Sequence, residues 1–245
     1  MTRIACCITV ILLPVFLAAQ KMLPAPNVKI SFVNTVNHLP LVLDSVMYTN
    51  PFAENYTISK LKYYISNFYL SGNKKVIIKN SYYLIDERNS TGNNILFFVP
   101  PGRYNSISFL LGVDSIKNVS GAQSGALDPS NDMFWTWNTG YVMAKLEGRS
   151  TASNVVNNKV EYHIGGFAGT DNVLKTITIP AVINIKKDAV TEIVIEADIN
   201  TWWQMPNNIL IVQNPVCTTP GALAKKIADN YSKMFSLKKI TAPNN

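Results

Sequence analysis

The chemistry open to this chain is limited first by its histidines, of which there are two in 245 residues, His38 and His163. Imidazole is the usual group for proton transfer near neutral pH and a common ligand for transition metals, so chemistry of either kind must run through one of these two. His38 stands in Asn37-His38-Leu39-Pro40, a hairpin-turn sequence, which argues against a ligand role. His163 stands in Glu161-Tyr162-His163-Ile164-Gly165-Gly166, at the end of an expected strand where paired glycines let the backbone turn or approach a neighbour closely. Two readings stay open for it, a hydrogen-bonded structural residue or a ligand. No Gly-x-Ser-x-Gly, Cys/His or zinc-helix motif accompanies it. Adjacent strands could bring Glu147 and Glu161 together, but nothing in their sequence surroundings singles them out, and the expectation is a protein that is not an enzyme.

The second chemically suggestive segment is Met133-Phe134-Trp135-Thr136-Trp137. On an extended backbone Trp135 and Trp137 face one way and Phe134 the other. The indoles serve either as a core plug at the end of the fold or as the wall of a ligand or metal pocket. This segment closes a stretch of nearly thirty residues, from Gly112 to Gly140, that has little strand character; loops of that length more often carry function than not. Its Asp114, Asp128, Asn131 and Asp132 offer oxygen ligands for calcium, but Asp-Pro-Ser-Asn-Asp is also ordinary turn chemistry without the spacing of a calcium loop.

The elements that must position these residues read as strands. Short runs rich in β-branched and aromatic residues recur between Asn, Gly, Ser and Pro clusters, with strands expected at 28–33, 39–44, 58–70, 76–79, 82–86, 95–99, 104–111, 141–147, 160–164, 174–179 and 192–199. In 60–66, Leu61, Tyr63 and Ile65 share one face, and Lys60, Lys62, Tyr64 and Ser66 share a wet opposite face. Residues 190–199 alternate similarly, which points to antiparallel sheets. One helix is expected over 221–236, with Leu223, Ile227, Tyr231 and Met234 or Phe235 as its apolar stripe and Thr219 as its cap. The fold class is therefore all-β, an antiparallel β-sandwich of Greek-key-like type with a long central loop and one C-terminal helix.

Residues 1–20 read as a signal peptide: Arg3, an apolar run from Ile4 to Leu17, and small residues before Gln20. Cys6 and Cys7 lie too early in that run for lipoprotein attachment, and no membrane span is expected after cleavage. Residues 21–245 form one domain with its core at about 26–236, in the periplasm or secreted. Cleavage leaves Cys217 as the remaining cysteine of three, so an intramolecular disulfide is excluded. The formal charge of +7 is scattered in pairs such as Lys74-Lys75 and Lys186-Lys187, with no basic stripe for nucleic acid.

Taken together, Lys62–Asn67, Val99–Tyr104, Leu111–Asp114, Gly125–Pro129, Met133–Tyr141, Leu146–Gly148, Tyr162–Gly166 and the tail Ile227–Phe235 resemble the MbnP-like copper-binding domain family of exported bacterial proteins, across residues 26–236. In copper-binding relatives two histidines hold the metal, with an oxidised tryptophan, kynurenine, completing some sites. The resemblance implies copper as cofactor and His163, Trp135, Trp137 and Met133 as metal-site residues. It assigns the second histidine to the position after Asn118, where this chain has Val119, which cannot ligate. Three outcomes stay open: a methionine such as Met133 or Met143 substitutes, copper binds weakly, or the fold persists without metal. The implied function is an exported copper-binding and copper-handling protein whose partners are a copper ion and an outer-membrane or periplasmic protein. The alternative is a metal-free exported module that recognises a peptide, glycan or receptor through exposed Trp135, Trp137, Trp202 and Trp203.

Overall fold

Where apolar and polar residues alternate, an extended chain buries one face and wets the other, and this pattern builds most of the molecule. The computed structural model describes residues 24–135 and 140–241. The expected signal peptide and Trp137 lie outside the described residues. The strands are β1 (Val28–Val36), β2 (Leu39–Pro40), β3 (Tyr48–Thr49), β4 (Asn55–Gly72), β5 (Lys75–Ile77), β6 (Tyr82–Asp86), β7 (Asn94–Phe97) and β8 (Gly102–Leu111). They continue with β9 (Phe134–Trp135), β10 (Gly140–Arg149), β11 (Lys159–Gly165), β12 (Lys175–Ile185), β13 (Thr191–Asp198), β14 (Val216–Cys217) and β15 (Phe235–Thr241). Two helices, α1 (Ser115–Val119) and α2 (Ala222–Tyr231), complete the set.

The smaller sheet runs β15-β13-β1-β2, with β7 also on β1; the larger runs β12-β8-β4-β10-β11-β14, with β3, β5 and β6 also pairing with β4 and β9 with β10. Their inner faces meet in one continuous core. Phe32 of β1 shows how the layers engage: its ring lies 5.7 Å from Phe109 and 6.4 Å from Tyr63 on the facing sheet, both edge-on. The Tyr63 hydroxyl donates to Asn34 Oδ1 at 2.8 Å, so the one polar group of that contact is satisfied inside the core.

The all-β sandwich with a C-terminal helix is as expected, and five local expectations change, the fifth beneath the long connection after β8. First, β1 and β13 pair in parallel, although β13 is antiparallel to β15. Alternation reports one-sided burial and carries no information about strand direction. Second, the chain from Leu41 to Asp44 leaves the sheet after Pro40, which has no amide hydrogen to donate to a ladder. Third, Thr219 does not cap α2; Gly221 holds the cap position without a side-chain bond. Fourth, the helix ends at Tyr231 and Phe235 opens β15. The pair Met234-Phe235 satisfies the helical stripe and the start of a strand equally well.

The long connection after β8 lies across the outer face of the larger sheet. Contrary to a wholly wet face, Tyr64 and Ser66 are buried beneath it: Tyr64 meets Tyr141 edge-on at 5.6 Å, and the Ser66 hydroxyl donates to Gly112 O at 2.7 Å. Within the connection Asn118 of α1 is buried, donates to Val113 O at 2.6 Å and accepts from the Tyr141 amide at 2.9 Å. The Tyr141 hydroxyl donates to Leu127 O at 2.7 Å. The central fastening is Lys145 of β10, whose side chain is only 3% exposed. Its ammonium donates to Asp132 O and lies 3.0 Å from Asp132 Oδ2. A buried ammonium needs such partners, because the desolvation cost of an unpaired charge is large. Replacing Lys145 by Met, which keeps the stem and removes the charge, is expected to cost about 1–3 kcal/mol in urea unfolding, and to speed proteolytic cleavage between residues 112 and 135. An unchanged unfolding midpoint and cleavage rate would show that the fastening contributes nothing.

Candidate metal centre

Register decides which outer-face side chains of the larger sheet meet. In the antiparallel pair of β10 and β11, Glu147 lies directly opposite Glu161 and Lys145 opposite His163. Side chains two residues apart share a face, so Glu161 and His163 of β11 point outward with Glu147 and Lys145 of β10. Val160, Tyr162 and Ile164 point into the core. His163 Nε2 is 2.8 Å from Glu147 Oε1 and 3.6 Å from Glu161 Oε1. One potential ligand atom from each of these three residues lies within 4.8 Å of the other two, and among the described residues this is the one such grouping of three or more His, Cys, Asp or Glu side chains.

Lysines surround the triad. Lys60 of β4, opposite Glu147 in the ladder, places Nζ 3.2 Å from Glu147 Oε2 and 2.9 Å from Asp132 Oδ2. Lys145 is 4.0 Å from Glu147 Oε1, and Lys159 is 2.6 Å from Glu161 Oε2. Three ammonium groups thus face the carboxylates of Glu147, Glu161 and Asp132. Glu147 is held far below the usual carboxylate range, at about 2, by the hydrogen bond with His163 and, against the opposing effect of burial, by Lys60. Burial opposes ionisation of Asp132 as well, but hydrogen bonds from Lys60 and Lys145 outweigh it and lower its pKa.

Trp135 reaches this face from β9, which hairpins onto the start of β10. Its indole lies against Gly165, where an added Cβ would come within 2.5 Å of the ring. That Cβ would point to the same side as His163 two residues earlier, so Trp135 covers the sheet beside the histidine. Gly166 is required too: at φ +120° an added Cβ would lie 2.2 Å from Asp171 O. Trp135, 7% exposed, walls an open hollow of about 250 Å³ with Phe167, Ala168 and Pro220 among its other sides. It is thus both tightly packed and a pocket wall.

Other candidates disperse. Met133 is fully buried, its carbonyl accepting from the Val142 amide at 2.9 Å, and the Met143 sulfur accepts from the Val113 amide. Val119 is 69% exposed on α1. His38 is a turn residue at φ +63°, but its ring also reaches Glu196 at 3.2 Å, a contact with a strand about 160 residues away that local sequence could not reveal. Cys217 is buried and free, and burial raises its thiol to about 11, against the thiolate that a soft metal needs. The acids of the calcium reading do not converge among the described residues: Asp114 pairs with Asn67 and Tyr82, Asp128 with the Ser130 amide, and Asp132 with Lys60 and Lys145. For Trp202 and Trp203 the expectation of exposed indoles is corrected: they are 1% and 0% exposed, packed against Tyr231 and Tyr56. Sequence reasoning paired Glu147 with Glu161 but missed that His163 joins them; the two-residue spacing of Glu161 and His163 was the available signal.

The depressed Glu147 has a direct consequence for stability. A carboxylate whose pKa is lowered on folding stabilises the fold above its unfolded value, and that stabilisation is lost as pH falls from about 4.5 to about 2. The Glu147→Gln variant is expected to lose of order 2–3 kcal/mol at neutral pH, and to show a shallower fall in stability across that acid window. Chemical unfolding at a series of pH values checks this; parallel curves for the two proteins would contradict it.

Compared with known proteins, the chain matches the family model described as MbnP over residues 25–219. No curated protein matches it. Among solved structures, MbnP from Methylosinus trichosporium superposes with a TM-score of 0.50 at 13% identity, covering 88% of this chain and 98% of that one. At that identity the likeness speaks for the fold alone.

Proposed function

This chain belongs to the MbnP family, and from that premise we propose that it is an exported, non-enzymatic copper-binding and copper-handling protein in which His163 is the imidazole ligand. The carrying observation is that His163 stands on the outer face of the larger sheet with its Nε2 turned toward carboxylate oxygens of Glu147 and Glu161. Its Nε2 is at hydrogen-bond distance from Glu147 Oε1, and Glu161 Oε1 of the same strand lies 3.6 Å away, so one imidazole nitrogen and two carboxylate oxygens face a common point. When bound, copper would supply a Lewis-acidic, redox-capable centre. The protein's part is to hold the donors, with the ladder fixing their spacing and Trp135 covering the adjacent sheet.

The two-imidazole set implied by the family resemblance does not fit this chain, because Val119 stands where the second histidine would be. The residues present do fit a copper site of mixed nitrogen and oxygen donors. Export follows from the reading of residues 1–20, and among the described residues no helix is long and apolar enough to cross a membrane.

Copper loading of the exported protein is expected to approach one ion per chain and to fall at least tenfold in affinity in a His163→Ala variant. Equal loading of the two would remove His163 from the site.

A further inference from the structure

The donors that converge at His163 select among ions. Resting on the copper reading above, we propose that Glu147 and Glu161 complete the ligand set with His163, and that this set takes a divalent ion, Cu(II) ahead of Zn(II), in preference to Cu(I).

Three observations carry this. The first is convergence. Glu147 and Glu161 are directly opposed across β10 and β11, and His163 follows Glu161 on the same face. Both Oε1 atoms face Nε2, at 2.8 and 3.6 Å, so all three donors come from one ladder of paired strands. The second is the hold on the outer oxygens. Glu161 gives Oε2 to Lys159 at 2.6 Å, and Glu147 gives Oε2 to Lys60 at 3.2 Å. Partners of that kind orient a ligating carboxylate; they leave Glu161 Oε1 to the ion, whereas Lys60 also lies 3.4 Å from Glu147 Oε1. The third is donor hardness. One imidazole and two carboxylates suit Cu(II) and Zn(II), and Cu(II) heads the affinity order for such donors, whereas Cu(I) is selected by thiolate and thioether. The sulfurs of Cys217 and Met143 are engaged inside the protein, near Thr219 O and the Val113 amide.

The lysines also set the strength of binding. Lys60 lies within 3.4 Å of both Glu147 oxygens, and an ion at the triad must share Glu147 with that ammonium. Lys60→Met therefore tightens divalent binding by about fivefold or more, whereas removal of an ordinary surface lysine would not.

The test is calorimetric titration of the exported protein with Cu(II) and with Zn(II), anaerobic competition titration with Cu(I), and electron paramagnetic resonance of the Cu(II) form. One Cu(II) site is expected, tighter than Zn(II) and tighter than Cu(I). It should show hyperfine coupling to a single nitrogen and weaken at least tenfold in Glu161→Gln and in His163→Ala. Glu161→Asp, which keeps the charge and pulls it back, is expected to fall between Glu161→Gln and the parent, so a folding defect in one variant does not decide the result. Tighter binding of Cu(I), lost with His163, would leave the copper reading standing and overturn this inference. Cu(II) affinity unchanged in Glu161→Gln would likewise overturn it. Absence of binding by copper in either state would overturn both.

Discussion

The buried ammonium of Lys145 is the constraint around which the functional face is arranged. A lysine with 3% of its side chain exposed must find acceptors, and it finds them in the carbonyl and carboxylate of Asp132. Asp132 belongs to the long connection between β8 and β10, so satisfying one charge fastens the connection to the sheet. Lys62 adds to the fastening through Asn131 O at 3.2 Å. Once the chain is held there, Met133, Phe134 and Trp135 follow directly, and β9 pairs with the start of β10. The position of Trp135 beside His163 is therefore a consequence of where Lys145 sits in its strand.

The same register that buries Lys145 sets out the candidate ligands. Lys145 and Glu147 alternate outward along β10, and across the ladder they meet His163 and Glu161. The result is a face on which three lysines and three carboxylates nearly neutralise one another, with a histidine at the point where two carboxylate oxygens meet. This balance lets the face exist without an ion, since no carboxylate is left unpaired. It also makes an ion compete with ammonium groups, which sets the expected affinity below that of an uncompensated acidic cluster.

Much of the sandwich was legible because alternation writes burial directly into sequence: Leu61, Tyr63 and Ile65 do face the core, and β6 occupies Tyr82–Asp86 as expected. What was not legible depends on distant partners. Tyr64 and Ser66 have the parity of a wet face and are buried by a connection that begins about 45 residues later. The parallel pairing of β1 with β13 joins segments about 160 residues apart, and alternation is silent on direction. For the site, His163 was singled out by its rarity and its Gly-Gly neighbours, both of which matter here. Its two carboxylate partners required the β10 and β11 register, which a single sequence does not fix. The indoles of Trp202 and Trp203 looked like recognition surface and are core, because the turn at Ile199–Trp203 folds them under α2 and against β4.

Whether His163, Glu147 and Glu161 form one site for a divalent ion on the outer face of the larger sheet is open to direct observation. Anomalous diffraction at the copper edge from crystals soaked with Cu(II) tests it most directly. One strong peak is expected in contact with His163 Nε2 and an Oε1 atom of each glutamate, with Lys60 and Lys159 still on the far oxygens. A fully occupied copper site elsewhere on the chain, with the contacts among His163, Glu147 and Glu161 undisturbed, would contradict it.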